Sequence, residues 1–207
     1  YLIAHTPADT LLTGGSALAM PLPSQLGIAP AKTEARLEPK AKALVLSGSC
    51  SQMTRRQVAH WQANHAAHAI DPLDPEALDR AWVWWQQQDA SQPCLIYATA
   101  EPEAVKAVQA NLGVAEAGAA VEGILANLAK RAVDSGVRRL VVAGGETSGA
   151  VTQALGIREV WVGQEICPGV PWVYAGTSEE PIALALKSGN FGSASFFEDA
   201  LSALEST

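Results

Sequence analysis

Three cysteines are all that the 207-residue chain carries, Cys50, Cys94 and Cys167, and no two stand in C-x-x-C spacing. That odd number and spacing argue against a disulfide framework or a zinc knuckle. Few unpaired thiols suit a reducing compartment, so a cytoplasmic location is expected. No run of about 18 apolar residues occurs, so no membrane-spanning helix and no membrane partner are expected. Tyr1 rather than Met opens the chain, and no basic stretch precedes an apolar one. No secretory signal is read, and the chain is taken as a fragment or a processed form. Basic residues never cluster beyond pairs such as Arg55-Arg56 and Arg138-Arg139, and the net charge is −7 from 14 basic and 21 acidic residues. A nucleic-acid groove needs a basic stripe, so no nucleic-acid partner is expected. Any phosphate must be held locally, by backbone amides or a helix end.

What is present is a globular composition: 48% apolar, 17% charged and 6% aromatic residues, with 17 Gly and 12 Pro. The length suits one domain with an appendage. Residues 1–32 have little apolar periodicity and are read as the tail of another unit. Residues 33–40, with Glu34, Arg36, Glu38 and Lys40, are read as an exposed connector, and residues 41–207 as the main domain.

From Lys42 onward strand and helix signals alternate. The apolar run Ala43 to Leu46 predicts a buried strand, and a helix is expected from about Thr54 to Ala69 with Val58, Trp61 and Ala69 on one stripe. Asp74 is expected to cap a helix whose core face is Leu78, Ala81, Trp82 and Trp85. Cys94 to Ala98 reads as a second strand. Pro102 opens a helix bearing Val105, Val108 and Leu112, and Gly113 stops it. A longer helix follows, with Val121, Ile124, Leu125, Leu128 and Val133 inside, and then a strand from Leu140 to Ala143. Glu159 to Val162 and Trp172 to Tyr174 are strand candidates, Ile182 to Leu186 fits strand or helix, and Ser195 with Glu198 reads as a capping box. This alternation predicts an α/β layered sandwich with a largely parallel sheet. Ligands in such sheets sit beyond the carboxyl ends of the strands.

Three Gly/Ser-rich loops follow strand-like runs: Ser47 to Ser51, Gly144 to Gly149 and Ser188 to Gly192. Parallel strands would gather all three at one edge. Gly144 and Gly145 permit close backbone approach to an anion and tolerate positive φ, and a following helix would offer its N-terminus. Glu146 repels bare phosphate but suits magnesium. An ordinary strand-to-helix turn with Ser or Thr capping explains the same residues, and both readings stand. Cys50 reads as a buried thiol, and Lys187 as a cation that can meet a phosphate as a point charge. Phe191 packs on a base or on the core. His60, His65 and His68 show no metal-binding pattern such as H-E-x-x-H, and a solvated helix face is preferred, so no metal ligands are assigned. Trp84 is expected exposed or at an interface.

Four motifs occur in order: Ser47-Gly-Ser-Cys-Ser51, Gly144-Gly-Glu-Thr-Ser-Gly149, Glu165-Ile-Cys-Pro-Gly-Val-Pro171 and Lys187-Ser-Gly-Asn-Phe-Gly192. Together they resemble the C-terminal, nucleotide-binding part of the four-carbon acid sugar kinases, over about residues 41–207. The last motif is most similar to the 3-oxo-tetronate kinase branch. Thr13 to Ala19 resembles the closing segment of that family's N-terminal sugar-acid-binding domain. The resemblance implies ATP and magnesium as cofactors, and Ser49, Gly144, Gly145, Glu146, Thr147 and Gly189 as nucleotide contacts. It implies phosphorylation of 3-oxo-tetronate, threonate or erythronate at the 4-hydroxyl, with the sugar acid held by the N-terminal domain. No catalytic base is assigned, and a homo-oligomer is left open. A non-catalytic nucleotide-sensing module and a phosphosugar-binding domain are the alternatives.

Overall fold

A computed structural model of the chain describes residues 5–7, 9–14, 16–29, 41–176 and 181–205. Two compact units are present, Tyr1–Glu34 and Ala35–Thr207. The first contains two short helices, α1 (Ser16–Ala19) and α2 (Leu22–Gln25). The connector expected over residues 33–40 lies outside the described residues.

The second unit runs β1 (Ala43–Ser47), α3 (Gln52–Gln62), β2 (Ala67–Ala69), α4 (Ala77–Gln86), β3 (Cys94–Tyr97), α5 (Pro102–Leu112), α6 (Val114–Asp134), β4 (Arg139–Ala143), α7 (Gly145–Ala154), β5 (Trp161–Cys167), β6 (Val170–Gly176), β7 (Pro181–Lys187) and α8 (Phe196–Glu205). All seven strands form one sheet in the order β2-β3-β1-β4-β7-β6-β5. The first five in that order pair in parallel, while β6 pairs antiparallel with both β7 and β5. The sheet is thus the largely parallel one expected, with an antiparallel edge.

Side-chain alternation splits the core into two layers. Leu44, Leu46, Ile96, Leu140, Val142 and Leu184 face a layer built by α4, α6 and α7. Val45, Leu95, Val141, Ala183 and Ala185 face Trp61 of α3 and Phe197, Ala200 and Leu201 of α8. Both sheet faces are therefore covered, which is why the strands read as continuous apolar runs rather than alternating ones. Full burial of a side chain such as Leu46 is worth about 1.5–3 kcal/mol.

Some local expectations give way. α3 stops at Gln62, and Ala69 lies in edge strand β2 rather than on the α3 stripe. Asp74 Oδ1 accepts the Glu76 N–H at 2.9 Å in a turn, one step before α4 begins at Ala77. Ser195 does not form a box with Glu198: its hydroxyl donates to Asp199 at 2.9 Å, while Glu198 takes His60 and His65 at 3.1 and 3.0 Å. His68 stacks on Trp84 with ring centroids 5.0 Å apart, and Trp84 packs against the core instead of standing free. The three histidines therefore do not share one helix face. Among the described residues no cluster of three potential metal ligands occurs.

Candidate functional site

Four parallel strands end level with one another. Register places Ser47 of β1 beside Tyr97 of β3 and Ala143 of β4, and Ala143 beside Lys187 of β7. The chains leaving these ends stay tied together. Gly48 and Ser49 N–H donate to the Ala143 carbonyl at 3.0 and 3.2 Å, and Gly144 N–H donates to the Lys187 carbonyl at 2.8 Å. The three Gly/Ser segments thus meet at the carboxyl edge, and each continues the ladder by one rung.

These segments are built for close approach. Gly144 has φ +131°, and a Cβ there would lie 2.8 Å from Thr147 Oγ1 and 3.2 Å from the Ser49 nitrogen. At Gly48 a Cβ would collide with Thr147 Oγ1, and at Gly189 it would lie 2.6 Å from Ser49 Oγ. Gly145 differs: its φ is not positive, and a Cβ there meets no atom within 4 Å. The glycine motif is less of a loop than its composition predicts. Helix α7 begins at Gly145, so Glu146, Thr147, Ser148 and Gly149 occupy its first turns. The first N–H groups of a helix have no acceptor within it, and here no side chain caps them. Their positive end faces the cavity that Gly145, Glu146 and Thr147 line.

That cavity holds about 710 Å³. Five of the six anticipated contact residues line it: Ser49, Gly144, Gly145, Glu146 and Thr147. Gly189 does not line it, but packs directly behind Ser49. Cys50 also lines the cavity and is half-buried rather than buried. Phe191 is 42% exposed, its ring lying against Gly169, so it fills no core position.

The opposite wall escaped the sequence reading. It is apolar and comes from α5 and α6, which meet at Gly113 with a bend of 105°. Val105, Val108 and Val121 line it, with Gln109 and Glu122 as polar groups among them. None of the residues of α5 is fully buried, so its apolar stripe covers the cavity rather than the core. The stripe was visible in the sequence, but nothing there separates a core face from a cavity face.

Lys187 does not reach into the cavity. It is fully buried, and its Nζ donates to Thr54 Oγ1, the Ser188 carbonyl and the Gly189 carbonyl at 3.2, 3.1 and 3.0 Å. Burial lowers its pKa to about 8. Ser51 and Thr54 hydroxyls also donate to the Gly189 carbonyl, at 2.6 and 2.9 Å. Asp71 and Glu146 bring carboxylates to the cavity. One or two carboxylates are what a magnesium ion shared with phosphates takes from a protein.

The chain carries its relationships clearly. Residues 44–197 match the family described as nucleotide-binding C-terminal domain. The chain is 45% identical over 214 residues to a 3-oxo-tetronate kinase of Pseudomonas savastanoi, covering 99% of this chain and 49% of that protein. It is 48% identical over 202 residues to a 3-oxo-tetronate kinase of Brucella melitensis, covering 92% and 45%. The crystal structure of Haemophilus influenzae protein HI1011 superposes with a TM-score of 0.80 at 38% identity, over 95% of this chain and 48% of that one. The chain therefore spans about half the length of the curated relatives it matches. Among the described residues no single helix is long and apolar enough to cross a membrane. With its glycine segments aligned at the carboxyl edge and this match across 44–197, the chain belongs to the nucleotide-binding C-terminal domain family.

Proposed function

We propose that this chain is the ATP-binding part of a kinase that phosphorylates a four-carbon sugar acid, 3-oxo-tetronate or a relative, at its 4-hydroxyl. The observation that supports this most is the cavity itself: a glycine-lined, helix-end wall on one side and an apolar wall on the other. A triphosphate suits the first and a purine the second. The backbone of Ser49 and of Gly144 to Thr147 binds phosphate oxygens, because Gly144 and Gly145 carry no Cβ and no side chain caps the first N–H groups of α7. Val105, Val108 and Val121 cover the base and exclude water from it. Gln109 and Glu122 offer hydrogen bonds to its edge. Glu146, with Asp71 across the cavity, would hold magnesium, which supplies charge neutralisation at the phosphates when bound.

Residues 41–207 are the nucleotide-binding domain in this reading, and the sugar acid is held by a separate domain. The acceptor hydroxyl attacks the terminal phosphorus in line as the bond from that phosphorus to the β–γ bridging oxygen breaks and ADP leaves, and this chain contributes orientation and fixed positive dipoles at the transferring group. Isothermal titration is expected to show ATP binding that weakens without magnesium and needs no sugar acid. Turnover of 3-oxo-tetronate, threonate and erythronate by the 207-residue chain alone is expected to be negligible, since positioning of the acceptor is worth up to about 7–11 kcal/mol. Absence of any heat or thermal shift at millimolar ATP would overturn the nucleotide reading. Robust turnover by the chain alone would place the acceptor site within it.

A further inference from the structure

Lys187 is the one fully buried lysine among the described residues, and none of its hydrogen bonds goes to a carboxylate. Taking a charge out of water is unfavourable unless something offsets it. Three protons on Nζ meet three acceptors, Thr54 Oγ1, Ser188 O and Gly189 O, which is the full complement of an ammonium. The hydroxyl of Thr54, having accepted from Lys187, passes its own proton to Gly189 O at 2.9 Å. All three partners are neutral oxygens, so the hydrogen bonds satisfy the ammonium without pairing its charge.

The bonds have a directional consequence. No cis peptide occurs in the described chain, and in a trans peptide the C=O and the following N–H point opposite ways. Lys187 draws the Ser188 carbonyl inward, so the Gly189 N–H points away from it. It draws the Gly189 carbonyl inward, so the Asn190 N–H points away too. Gly189 packs against Ser49 Oγ, and Ser49 lines the nucleotide cavity. The Lys187 carbonyl in turn accepts the Gly144 N–H at 2.8 Å, which fixes the second glycine segment to the same residue.

We infer that Lys187 is a positioning residue for the phosphates: its buried ammonium holds the Ser188–Gly189 carbonyls inward, keeps that segment against Ser49 of the cavity wall, and adds a positive charge behind the bound anion. This rests on the nucleotide reading above and adds to it a residue that touches no ligand. It also separates two kinds of ligand. A phosphate-bearing nucleotide gains from Lys187, whereas adenosine, which lacks phosphate, does not.

The pH behaviour follows from the same arrangement. The side chain meets Thr54 of α3 and lies 5.9 Å from the Phe196 ring of α8, neither of them ionisable. Cys167 of β5 is the titratable group that acts on it. Burial raises the Cys167 thiol, Glu165 and Asp199 push the same way, and Lys187 opposes them. With its own pKa lowered to about 8, Lys187 loses its charge as pH rises past that value, and phosphate binding weakens with it.

The test is titration of the 207-residue chain with magnesium ADP and, separately, adenosine, for wild type, Lys187→Met and Cys167→Ala. Lys187→Met is expected to bind ADP about tenfold or more weakly at pH 7, with adenosine affinity unchanged. Wild-type ADP affinity is expected to fall between pH 7 and 9.5, the fall persisting in Cys167→Ala and vanishing in Lys187→Met. Equal ADP affinity in wild type and Lys187→Met, or a parallel loss of adenosine binding, overturns the inference while leaving the nucleotide site standing. If wild type binds no ADP at any pH, the nucleotide reading fails and the inference with it. Should Lys187→Met fail to fold, the wild-type profile decides: a flat ADP affinity from pH 7 to 9.5 overturns the proposal, and a fall that survives in Cys167→Ala supports it.

Discussion

Gly144 and Gly145 are neighbours with different obligations. Gly144 sits at φ +131° with Thr147 and Ser49 where its side chain would go, so both backbone and packing demand glycine. Gly144→Ala is expected to cost about 1–3 kcal/mol of stability from backbone strain, plus the collision, read as a lowered denaturation midpoint. Gly145 opens helix α7 with empty space at its Cβ and lines the cavity. Valine there needs no unusual φ, so the fold is expected to tolerate it within about 1 kcal/mol. Its branched side chain would fill the proposed phosphate position, and ATP affinity is expected to fall by about a hundredfold, as a phosphate would lose both space and amide contacts. Titration beside a denaturation curve separates the two variants. Normal ATP binding by Gly145→Val would make this turn purely structural. Composition assigns both glycines the same role; the dihedral angle and the space at each Cβ distinguish them.

Among elements, α5 is the informative one. Its stripe of Val105 and Val108 has the spacing of a core face, yet no residue of the helix is fully buried. Placing a charge there should therefore disturb the ligand more than the fold. Val108→Asp is expected to weaken ATP and adenosine alike, by about tenfold or more, because the base would meet an unpaired carboxylate. The melting temperature is expected to stay within a few degrees. Selective loss of ATP but not adenosine would move the base elsewhere. The strands were the more legible part of this domain: apolar runs closed by Gly or Ser mark β1 and β4, while the run Ile182 to Leu186 fitted strand or helix until its parallel pairing with β4 made it β7. Strand β2 was not legible, because Ala67-His68-Ala69 is three residues long and only partly buried. The start of α7 was hidden for another reason. Gly145, Thr147, Ser148 and Gly149 are poor helix formers, and tertiary packing, not propensity, makes them helical. The cavity wall was hidden because core and pocket share one periodicity.

For the whole molecule, the buried ionisable groups pull stability in opposite directions at alkaline pH. Burial raises Cys94 from 9.0 to about 12, so above pH 9 the unfolded chain loses a proton that the folded one keeps, and stability falls between those values. Tyr174, raised by burial from 10.0, acts with the same sign. Lys187, lowered from 10.5 to about 8, acts against them: the unfolded chain holds the extra proton between those values, so its contribution rises with pH. Urea denaturation from pH 8 to 11 is expected to show a shallower alkaline loss in Cys94→Ala than in wild type, whatever the baseline offset between them. Equal slopes would mean that the Cys94 thiol is not shielded as its burial implies.

The level ending of β1, β4 and β7 bears on the order in which this chain can assemble. Ser47, Ala143 and Lys187 are adjacent rungs of the sheet, yet long stretches of chain separate them, including four helices between the first two. Pairing across such separations closes large loops and comes at an entropic cost that local structure cannot repay, which places it late and makes it slow. The proposed phosphate cradle, made from the last rung of three such strands, has no partly formed version. Nascent helices α5 and α6 can exist before it, but there is nothing for a nucleotide to grip until the central strands have closed. Ligand added during refolding thus arrives as an inspector of the finished sheet: it slows the molecule's opening and leaves the rate of its making unchanged.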